Sequence, residues 1–547
     1  MRYDPYTYRD SRRSVVMAPG GMVATSQPLA AQAGIHILKA GGNAIDAAIA
    51  VNAALGVVEP MSCGIGGDLF AIVWEAESGQ LTGLNASGRA PYAATIDYYA
   101  GLGHDYIPGT GPLNWSVPGC VDGWSRLLDR FGTMSLEQVL EPAISYAENG
   151  FPVSDIIARD WAGSTPLLTP WPESVRVYLP GGRAPQPGAV FRNPDLARSY
   201  RLLAGGGRDA FYHGEISDAI VACSRDVGGL FSPEDFRDHV STWDDPVCVD
   251  YRGHTVWELP PSGQGIAALQ ILNILEGYDL AETGCLSAET LHLQIEAKKL
   301  AYADRAVFYA DPAFADVPVE ALLSKDYADR QRGRIDRSRA AINVQAGDPI
   351  LQHGDTAYMT VVDEARNAVS FIQSIFRGFG SGIVPERTGF PIQNRGQLFS
   401  LDPAHRNALV PHKRPFHTII PAMVTRDGRP WLTFGLMGGA MQPQGHAQVL
   451  CNMIDFGMDV QEAGDAPRFQ HFGSAEPTGT PMEADGGRVN VEDGITEEAF
   501  RHLEEKGHRI SRSAHGYGGY QAIRIDPETG MLHGASEPRK DGCAIGY

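Results

Sequence analysis

The sequence predicts a mixed fold of class α+β, built from helices and antiparallel strands. Apolar residues make up 43% of the 547 residues, which is enough for a large buried core. Apolar side chains recur at helical spacing in several segments. Two strand-like segments flank residue 365 with five turn-prone residues between them, as in an antiparallel hairpin. Length alone leaves open three or four domains or one large α/β unit with extensions.

The charge balance excludes several classes of partner. The chain has 45 Lys and Arg residues against 65 Asp and Glu residues, a net charge of −20. Binding to nucleic acid or to an anionic membrane depends on basic residues, so neither partner is expected. No apolar run approaches the roughly 18 residues that cross a bilayer, and the polar N-terminus has no apolar signal region. The sequence therefore predicts a soluble cytoplasmic protein.

The cysteine, histidine and glycine patterns do not indicate a cofactor. Seven scattered cysteines form no Cys-x-x-Cys pair, which argues against a disulfide framework and a zinc ribbon. Asp402, His412 and His417 are close in sequence, but histidines in such loops are usually solvated. A glycine-rich segment at residues 63–68 precedes a strand, whereas a dinucleotide-binding loop follows one. We therefore expect neither a metal nor an organic cofactor.

Local signals predict the helices. Residues 22–25 form a short apolar strand, and Ser26 is predicted to cap the next helix. The buried face of that helix is formed by Ala31, Ile35 and Leu38. Asn43 then caps a second helix that has Asp46 in its first turn. A longer helix is predicted at residues 287–309, where many charged residues indicate one solvated side.

A glycine pair separates a strand from a helix in the last third of the chain. The strand covers residues 431–435, Gly438 and Gly439 follow, and a helix covers about residues 443–456. The backbone N–H groups of such a turn can hold an anion or an oxyanion, but the same turn also serves as a plain connector. The motif alone leaves both interpretations open.

The predicted hairpin pairs two hydroxyl groups. Its strands cover residues 357–363 and 368–376, and a turn centred on Ala365 pairs residues whose numbers sum to 730. Thr356 then faces Ser374 at the open end of the hairpin. Cross-strand hydroxyl pairs are more often packing than catalysis, so the pairing alone favours a structural role.

Together these motifs are specific to one family. The chain from about residue 22 to residue 547 resembles the γ-glutamyltransferase family of N-terminal-nucleophile hydrolases. The matching motifs occur in the order of the family, at residues 41–48, 59–67, 117–119, 260–263, 355–363, 379–382, 413–415, 438–439 and 466–469. The resemblance implies a four-layer αββα sandwich, in which helices cover two stacked antiparallel sheets.

The resemblance also implies self-cleavage. Members of the family cut their own precursor before a threonine, which corresponds here to the bond between Asp355 and Thr356. The products are a large chain of residues 1–355 and a small chain of 547 − 355 = 192 residues, 356–547. Both chains are expected to interleave in one αββα domain and to form a heterodimer. Whether two such heterodimers associate is left open.

The resemblance assigns roles to the remaining catalytic residues. Thr356 is the nucleophile, and its new α-amino group, with a reference pKa of about 7.7–8.0, is the base. Ser374 supports the nucleophile. Gly438 and Gly439 supply the amides of the oxyanion hole. No cofactor is needed.

The acyl pocket departs from the pattern of the glutathione-acting members. The positions that hold the γ-glutamyl group in the family correspond here to Phe376, Arg395, Leu398, His417 and Thr418. An arginine of the family's large chain corresponds to Ser87, with Arg89 two residues further on. A buried ammonium needs an anion or hydrogen bonds, and leucine offers neither. Efficient turnover of glutathione is therefore not expected.

New cationic residues indicate a different acyl group. Arg89, Arg377, Arg395 and His417 are predicted to line the pocket, which suits an acyl group with a carboxylate and no α-amine. The alternative is that some of them point to solvent. Only twelve residues separate Ser400 from Lys413, so the lid of some family members is absent and water has access to the acyl-enzyme.

Three functions remain after this comparison. The first is a self-processing amidohydrolase that acts on a small amide through an acyl-enzyme. The second is a true γ-glutamyltransferase with a rebuilt pocket. The third is an inactive family member that serves as a binding protein, and the intact Thr356, Ser374 and glycine pair argue against it.

Overall fold

The structure is a computed structural model, and it describes residues 13–345, 357–474 and 476–547. Its strands are β1 (Val16–Ala18), β2 (Met22–Thr25), β3 (Asp68–Glu75), β4 (Gln80–Ala86), β5 (Phe151–Pro152), β6 (Val190–Phe191), β7 (Thr242–Asp244), β8 (Val247–Tyr251), β9 (His254–Glu258), β10 (Ala357–Val362), β11 (Ala368–Ser374), β12 (Ala422–Arg426), β13 (Arg429–Met437), β14 (Phe469–Phe472), β15 (Arg488–Val491), β16 (Ile510–Arg512), β17 (Gly519–Ile525), β18 (Leu532–Ala535) and β19 (Cys543–Gly546).

Helices account for more of the described residues than strands do. They are α1 (Pro28–Lys39), α2 (Ala44–Val58), α3 (Ile96–Gly101), α4 (Cys120–Phe131), α5 (Leu136–Asn149), α6 (Asp155–Gly163), α7 (Thr165–Leu168), α8 (Pro172–Tyr178), α9 (Pro194–Tyr212), α10 (Glu215–Val227), α11 (Pro233–Arg237), α12 (Gly265–Leu275), α13 (Leu280–Thr283), α14 (Ala288–Phe308), α15 (Val319–Leu323), α16 (Lys325–Arg332), α17 (Met441–Ile454), α18 (Val460–Asp465) and α19 (Glu497–Glu505).

Two seven-stranded antiparallel sheets form the centre of the molecule. The first has the strand order β1-β18-β17-β13-β12-β9-β8, and the second has the order β19-β2-β10-β11-β3-β4-β7. In β10, Tyr358 and Val362 face the other sheet, whereas Met359 and Val361 face the helices. This alternation is the two-residue period of a strand that is buried on both faces.

Three apolar clusters correspond to the three interfaces between four layers. One cluster lies between the sheets and includes Phe70 and Ile372 from one sheet and Met423 from the other. The second joins the β10–β11 sheet to helices such as α2 and α5. The third joins the β12–β13 sheet to α12, α14 and α17. The predicted α+β class and αββα sandwich are therefore confirmed.

Segments from before and after residues 346–356 share both sheets. Strand β10 lies between β2 and β11, and β19 pairs with the other edge of β2. In the other sheet, β12 pairs with β9, and β18 pairs with β1. The two parts of the chain therefore cannot separate without breaking strand pairs in both sheets.

The hairpin has the predicted register. Its pairs run from Ala357 with Gln373 to Val362 with Ala368, so each pair sums to 730. Strand β11 ends at Ser374, two residues earlier than expected. Phe376 has a φ of 79°, in the left-handed region, which an extended strand does not contain.

Two local expectations were wrong. Gln27, not Ser26, caps α1, because the Ser26 hydroxyl donates instead to Glu59 at 2.6 Å. The charged residues of α14 are buried rather than solvated, and its Lys299 is 2% exposed. That ammonium donates to Glu296 at 2.8 Å, so internal pairing replaces hydration. The Asn43–Asp46 capping box of α2 is present as predicted.

The described helices can also be compared with the thickness of a membrane. Within residues 13–345, 357–474 and 476–547, no helix is both long enough and apolar enough to cross one.

Candidate active site

The end of β11 lies against a buried carboxylate. Ser374 pairs with Asp68, the first residue of β3, and both side chains are fully buried. The Ser374 hydroxyl oxygen accepts the N–H of Phe376 at 2.8 Å, which stabilises the sharp bend after the strand. Thr356 and Asp355, the predicted nucleophile and cleavage position, lie outside the described residues.

Asp68 organises this end of the hairpin. Its Oδ1 accepts hydrogen bonds from the Gly88 N–H and the Gln393 side chain, both at 2.8 Å, and from the Gly119 N–H at 3.3 Å. Its Oδ2 lies 2.7 Å from Nε2 of His417. Burial opposes ionisation of Asp68, but His417, Arg395 and Gln393 together hold its pKa below the usual value. The site therefore has a fixed negative charge beneath it.

His417 connects Asp68 to the loop before β12. Its Nδ1 lies 2.7 Å from the carbonyl oxygen of Pro415, and Nε2 faces the Asp68 carboxylate. Both partners are acceptors, so the ring satisfies both contacts when it carries two protons. Burial lowers the pKa of His417, and the hydrogen bond to Asp68 opposes that shift. His417 is thus held in place by Asp68.

Arg395 is a fully buried guanidinium without a close anion. It packs on the Phe376 ring at 5.1 Å, donates from Nη1 to the Thr418 hydroxyl at 3.1 Å, and lies 4.0 Å from Asp68. Among the described residues, its Nε and Nη2 have no hydrogen-bond acceptor. Burial lowers its pKa to about 10. The guanidinium remains charged at neutral pH and has free donors for an anion.

Arg377 and Leu398 complete this side of the site. The Arg377 guanidinium also packs on Phe376, at 6.0 Å. With its amide oxygen facing Arg377, Gln397 accepts from Nε at 2.9 Å and from Nη2 at 3.1 Å. Leu398 is fully buried in the same apolar cluster as Phe376. The side chains on this side of the site are therefore apolar and cationic.

The glycine pair forms a turn between β13 and α17. Gly438 has a φ of 120° and Gly439 a φ of 58°, in the region that favours glycine. Their carbonyl oxygens accept from the N–H groups of Met441 at 3.0 Å and Gln442 at 3.1 Å. In the described ranges, neither glycine N–H has an acceptor. The two amides are therefore available to an oxyanion.

One side chain joins the glycine turn to the arginine pocket. The amide nitrogen of Gln264 donates to the carbonyl oxygen of Thr418 at 2.6 Å and to that of Gly439 at 2.9 Å. Hydrogen bonds therefore link Gly439 through Gln264 and Thr418 to Arg395. The structure thus brings together Ser374, Phe376, Arg377, Arg395, Leu398, His417, Thr418 and the glycine pair.

Arg89 belongs to a separate group of contacts. Its Nη1 donates to the carbonyl oxygen of His412 at 3.3 Å and lies 3.8 Å from Asp311. Within the described chain, no contact joins its guanidinium to Arg395, and its place in the acyl pocket stays a prediction. Burial lowers the pKa of Arg89, and Asp311 opposes that shift.

The sequence analysis did not single out Asp68, Gln264 or Gln393. Residues 63–68 were interpreted as a glycine turn. The signal that could have identified Asp68 is its carboxylate at the start of a strand that is buried along most of its length, because buried carboxylates are rare without partners. The partners of Asp68 come from residues 88–119 and 393–417, so no spacing in the sequence marks the site. Gln264 follows the family motif at residues 260–263 but lies outside it.

A group of potential metal ligands lies outside this site, with two members on α14 and one in the segment after α19. His292, Glu296 and His508 are buried and place ligand atoms within 4.8 Å of one another. The two rings are already hydrogen-bonded at 2.8 Å, and Glu296 accepts from the Lys299 ammonium. An adjacent ammonium repels a cation, so these residues serve as a hydrogen-bonded network.

The αββα sandwich is the fold expected of an N-terminal-nucleophile hydrolase. A model of the family described as gamma-glutamyltranspeptidase matches residues 30–547, and the chain belongs to this family. It is therefore an enzyme of the γ-glutamyltransferase-like class, as the sequence predicted.

Individual relatives differ in the substrates that their names give. The glutathione hydrolase-like YwrD proenzyme of Bacillus subtilis is 40% identical, covering 96% of this chain and 98% of its own. The oxamate amidohydrolase proenzyme of Klebsiella pneumoniae is 36% identical, with the same coverage of 96% and 98%. The crystal structure of cephalosporin acylase from Bacillus halodurans superposes with a TM-score of 0.91 at 43% identity, covering 100% of this chain and 99% of that one.

Proposed function

We propose that this protein is a self-processing amidohydrolase with an N-terminal threonine nucleophile. The precursor cuts itself between Asp355 and Thr356, and residues 1–355 and 356–547 remain together as a heterodimer. The strand pairs between these two parts in both sheets support the continued association. Relatives whose names call them proenzymes support the processing.

One observation carries the assignment of the site. The end of β11 and the glycine turn are linked through Asp68, Arg395, Thr418 and Gln264, although they are far apart in sequence. The sequence predicts that Thr356 pairs with Ser374, and the described part of the hairpin, from Ala357 with Gln373 onward, supports that prediction. A nucleophile at that position has the pocket and the oxyanion donors on neighbouring elements.

The chemistry follows from these groups. The α-amino group of Thr356 takes the proton of its own hydroxyl, and the oxygen attacks the amide carbonyl of the substrate. The N–H groups of Gly438 and Gly439 stabilise the oxyanion that forms. When the tetrahedral intermediate collapses, the amine leaves and takes up the proton held by the α-amino group of Thr356. Water then attacks the acyl-threonine ester, with the same α-amino group as the base, and releases the acid. Ser374 orients the nucleophile.

The pocket supports an acyl group that ends in a carboxylate. Arg395 has free buried donors, and the acid that would bind an α-ammonium is replaced by Leu398. A dicarboxylic monoamide places its carboxylate at the guanidinium and carries no ammonium to desolvate. γ-Glutamyl amides are the second candidate class of substrate, because a relative is named as glutathione hydrolase-like.

Processing tests the nucleophile directly. We expect purified protein to give two species on a denaturing gel, with masses that correspond to residues 1–355 and 356–547. Thr356→Ala should remain one chain, because alanine has no hydroxyl to attack the preceding carbonyl.

The control is Thr360→Val on the same strand. The Thr360 hydroxyl donates to the Val369 carbonyl at 2.9 Å and has no proposed catalytic role, so this variant should still be processed. Wild-type protein that stays full length under native conditions would contradict the proposal. Cleavage of Thr356→Ala at the same bond would contradict it as well.

A further inference from the structure

We propose that Gln264 is a positioning residue that holds the oxyanion turn in register with the acyl pocket. This inference rests on the proposed function, because it assigns the Gly438 and Gly439 amides to the oxyanion. Gln264 is fully buried, directly precedes α12 and comes from the part of the chain before the cleavage position. The two carbonyl groups that it holds come from the part after that position.

The glycine turn needs external support. Both glycines have left-handed backbone angles, and the flexibility that permits them also permits other conformations. The directions of the two free N–H groups depend on how the neighbouring peptide planes are held. The carbonyl groups of residues 438–440 all accept hydrogen bonds, and Gln264 supplies the bond to Gly439 that reaches outside the turn and its helix.

The orientation of the Gln264 amide is itself fixed. Its Oε1 accepts from the Arg305 guanidinium, which is paired with the buried Glu476. Because Oε1 faces a permanent donor, the NH₂ group must face the two carbonyl oxygens. Arg305 packs on Tyr302 at 3.8 Å, and the Tyr302 hydroxyl donates to the Ala440 carbonyl in the same turn. Two residues of α14 therefore act on the turn, one of them through Gln264.

The same amide holds the acyl pocket. Its second hydrogen bond, to the Thr418 carbonyl, fixes the residue whose hydroxyl accepts from Arg395. The Gln264 amide thus sets the distance between Arg395, which would bind the substrate carboxylate, and the glycine N–H groups, which would bind the oxyanion. A displacement of about 1 Å in such an arrangement costs on the order of 10²-fold in rate.

The test compares transition-state and ground-state binding. Gln264→Glu has the same shape but loses both N–H donors, and Gln264→Asn keeps the amide on a shorter stem that cannot reach both carbonyl groups. With processed enzyme and a glutaryl anilide, we expect kcat to fall about tenfold or more, with KM within about threefold.

Two inhibitors provide an independent readout. 4-Boronobutanoic acid forms a tetrahedral adduct with the nucleophile and places an oxygen in the oxyanion hole, whereas glutarate is planar at the corresponding carbon and forms no adduct. The Ki of the boronate should rise about as much as kcat falls, and the Ki of glutarate should stay within about threefold. A general loss of structure would weaken both inhibitors together.

The matched control is Gln448→Glu. The Gln448 amide also bridges two carbonyl groups, those of Gln444 and Phe469, each at 3.1 Å, but does not touch the turn. Gln448→Glu therefore shows how much the same substitution disturbs the protein at a buried site away from the turn. The Ki values of both inhibitors should stay near those of wild type.

Two kinds of failure are distinguishable. Wild-type enzyme that neither cleaves the anilide nor binds the boronate overturns the proposed function and this inference with it. Active wild-type enzyme with both Gln264 variants within threefold in kcat and boronate Ki overturns the inference alone. Equal weakening of boronate and glutarate overturns it as well.

Discussion

Two arginines, Arg395 and Arg468, are almost completely buried, but their surroundings differ. Arg468 donates to the carbonyl oxygens of Tyr517 at 2.8 Å and Gly464 at 2.6 Å, and it lies 2.9 Å from the Glu537 carboxylate. Among the described residues, Arg395 has one hydroxyl acceptor at 3.1 Å and a carboxylate 4.0 Å away. Both are 0–1% exposed.

The two arginines differ in whether the protein supplies a hydrogen-bonded anion for the guanidinium. At Arg468 the protein supplies the anion, so the charge is compensated before any ligand arrives. At Arg395 the nearest carboxylate, Asp68, is already occupied by His417 and three other donors. Under the proposed function, a substrate carboxylate would be the close anion that Arg395 lacks among the described residues.

The largest expected effect is on stability. Glu537→Leu leaves Arg468 buried without its carboxylate and should cost about 3–5 kcal/mol in the free energy of unfolding. Arg395→Met removes a charge that Asp68 compensates only from 4.0 Å, without a hydrogen bond, so it should cost much less or raise stability. Denaturant unfolding of both variants measures this contrast. Equal losses would show that Arg395 is a structural ion pair after all.

The next effect is on substrate choice, measured with water as the only acceptor. Wild-type enzyme should cleave a glutaryl anilide faster than the γ-glutamyl anilide, because the pocket compensates a carboxylate but not an ammonium. Arg395→Met should lower kcat/KM for the glutaryl compound by about 10²–10³-fold, since it leaves that carboxylate unpaired.

The comparison of the glutaryl and γ-glutamyl anilides has a control variant, and one outcome would contradict the predicted preference. Glu537→Leu, assayed well below its unfolding temperature, should keep the substrate preference of wild type. If the γ-glutamyl anilide is the better substrate by tenfold or more, the pocket has been rebuilt for the ammonium, and the second candidate function replaces the first.

The smallest effect concerns pH. Burial opposes ionisation of Glu537, yet Arg468 and Arg539 hold its pKa below the ordinary value. The folded protein therefore binds that proton less tightly than the unfolded chain, whose glutamates have a pKa of about 4.3. Stability from this pair is complete above that pH and is lost as the pH falls through the lower folded pKa.

Glu537→Gln should remove this part of the acid sensitivity. Its free energy of unfolding, already lower at neutral pH, should change less than that of wild type as the pH falls below about 4.3. Denaturant titrations at several pH values measure the slope. Parallel profiles for the two proteins would assign the acid sensitivity to other carboxylates.

Local elements were predictable because their signals are short in range. The Asn43 capping box, the Met22–Thr25 strand and the β10–β11 register each depend on residues close in sequence. The errors arose where a distant partner decided the outcome. The Ser26 hydroxyl donates to Glu59 and therefore does not cap α1. The Lys299 ammonium donates to Glu296, and this pairing allows Lys299 to be buried.

The sequence by itself determined the family, the antiparallel hairpin and the glycine pair, because motif order and two-residue periodicity are written along the chain. The tertiary structure alone decided which charges are compensated. Arg395 lies near Asp68 and is linked to Gln264 through Thr418 only because β3, the start of α12 and residues 395–418 come together in space. Burial and electrostatic pairing depend on distance in space, which sequence separation does not encode.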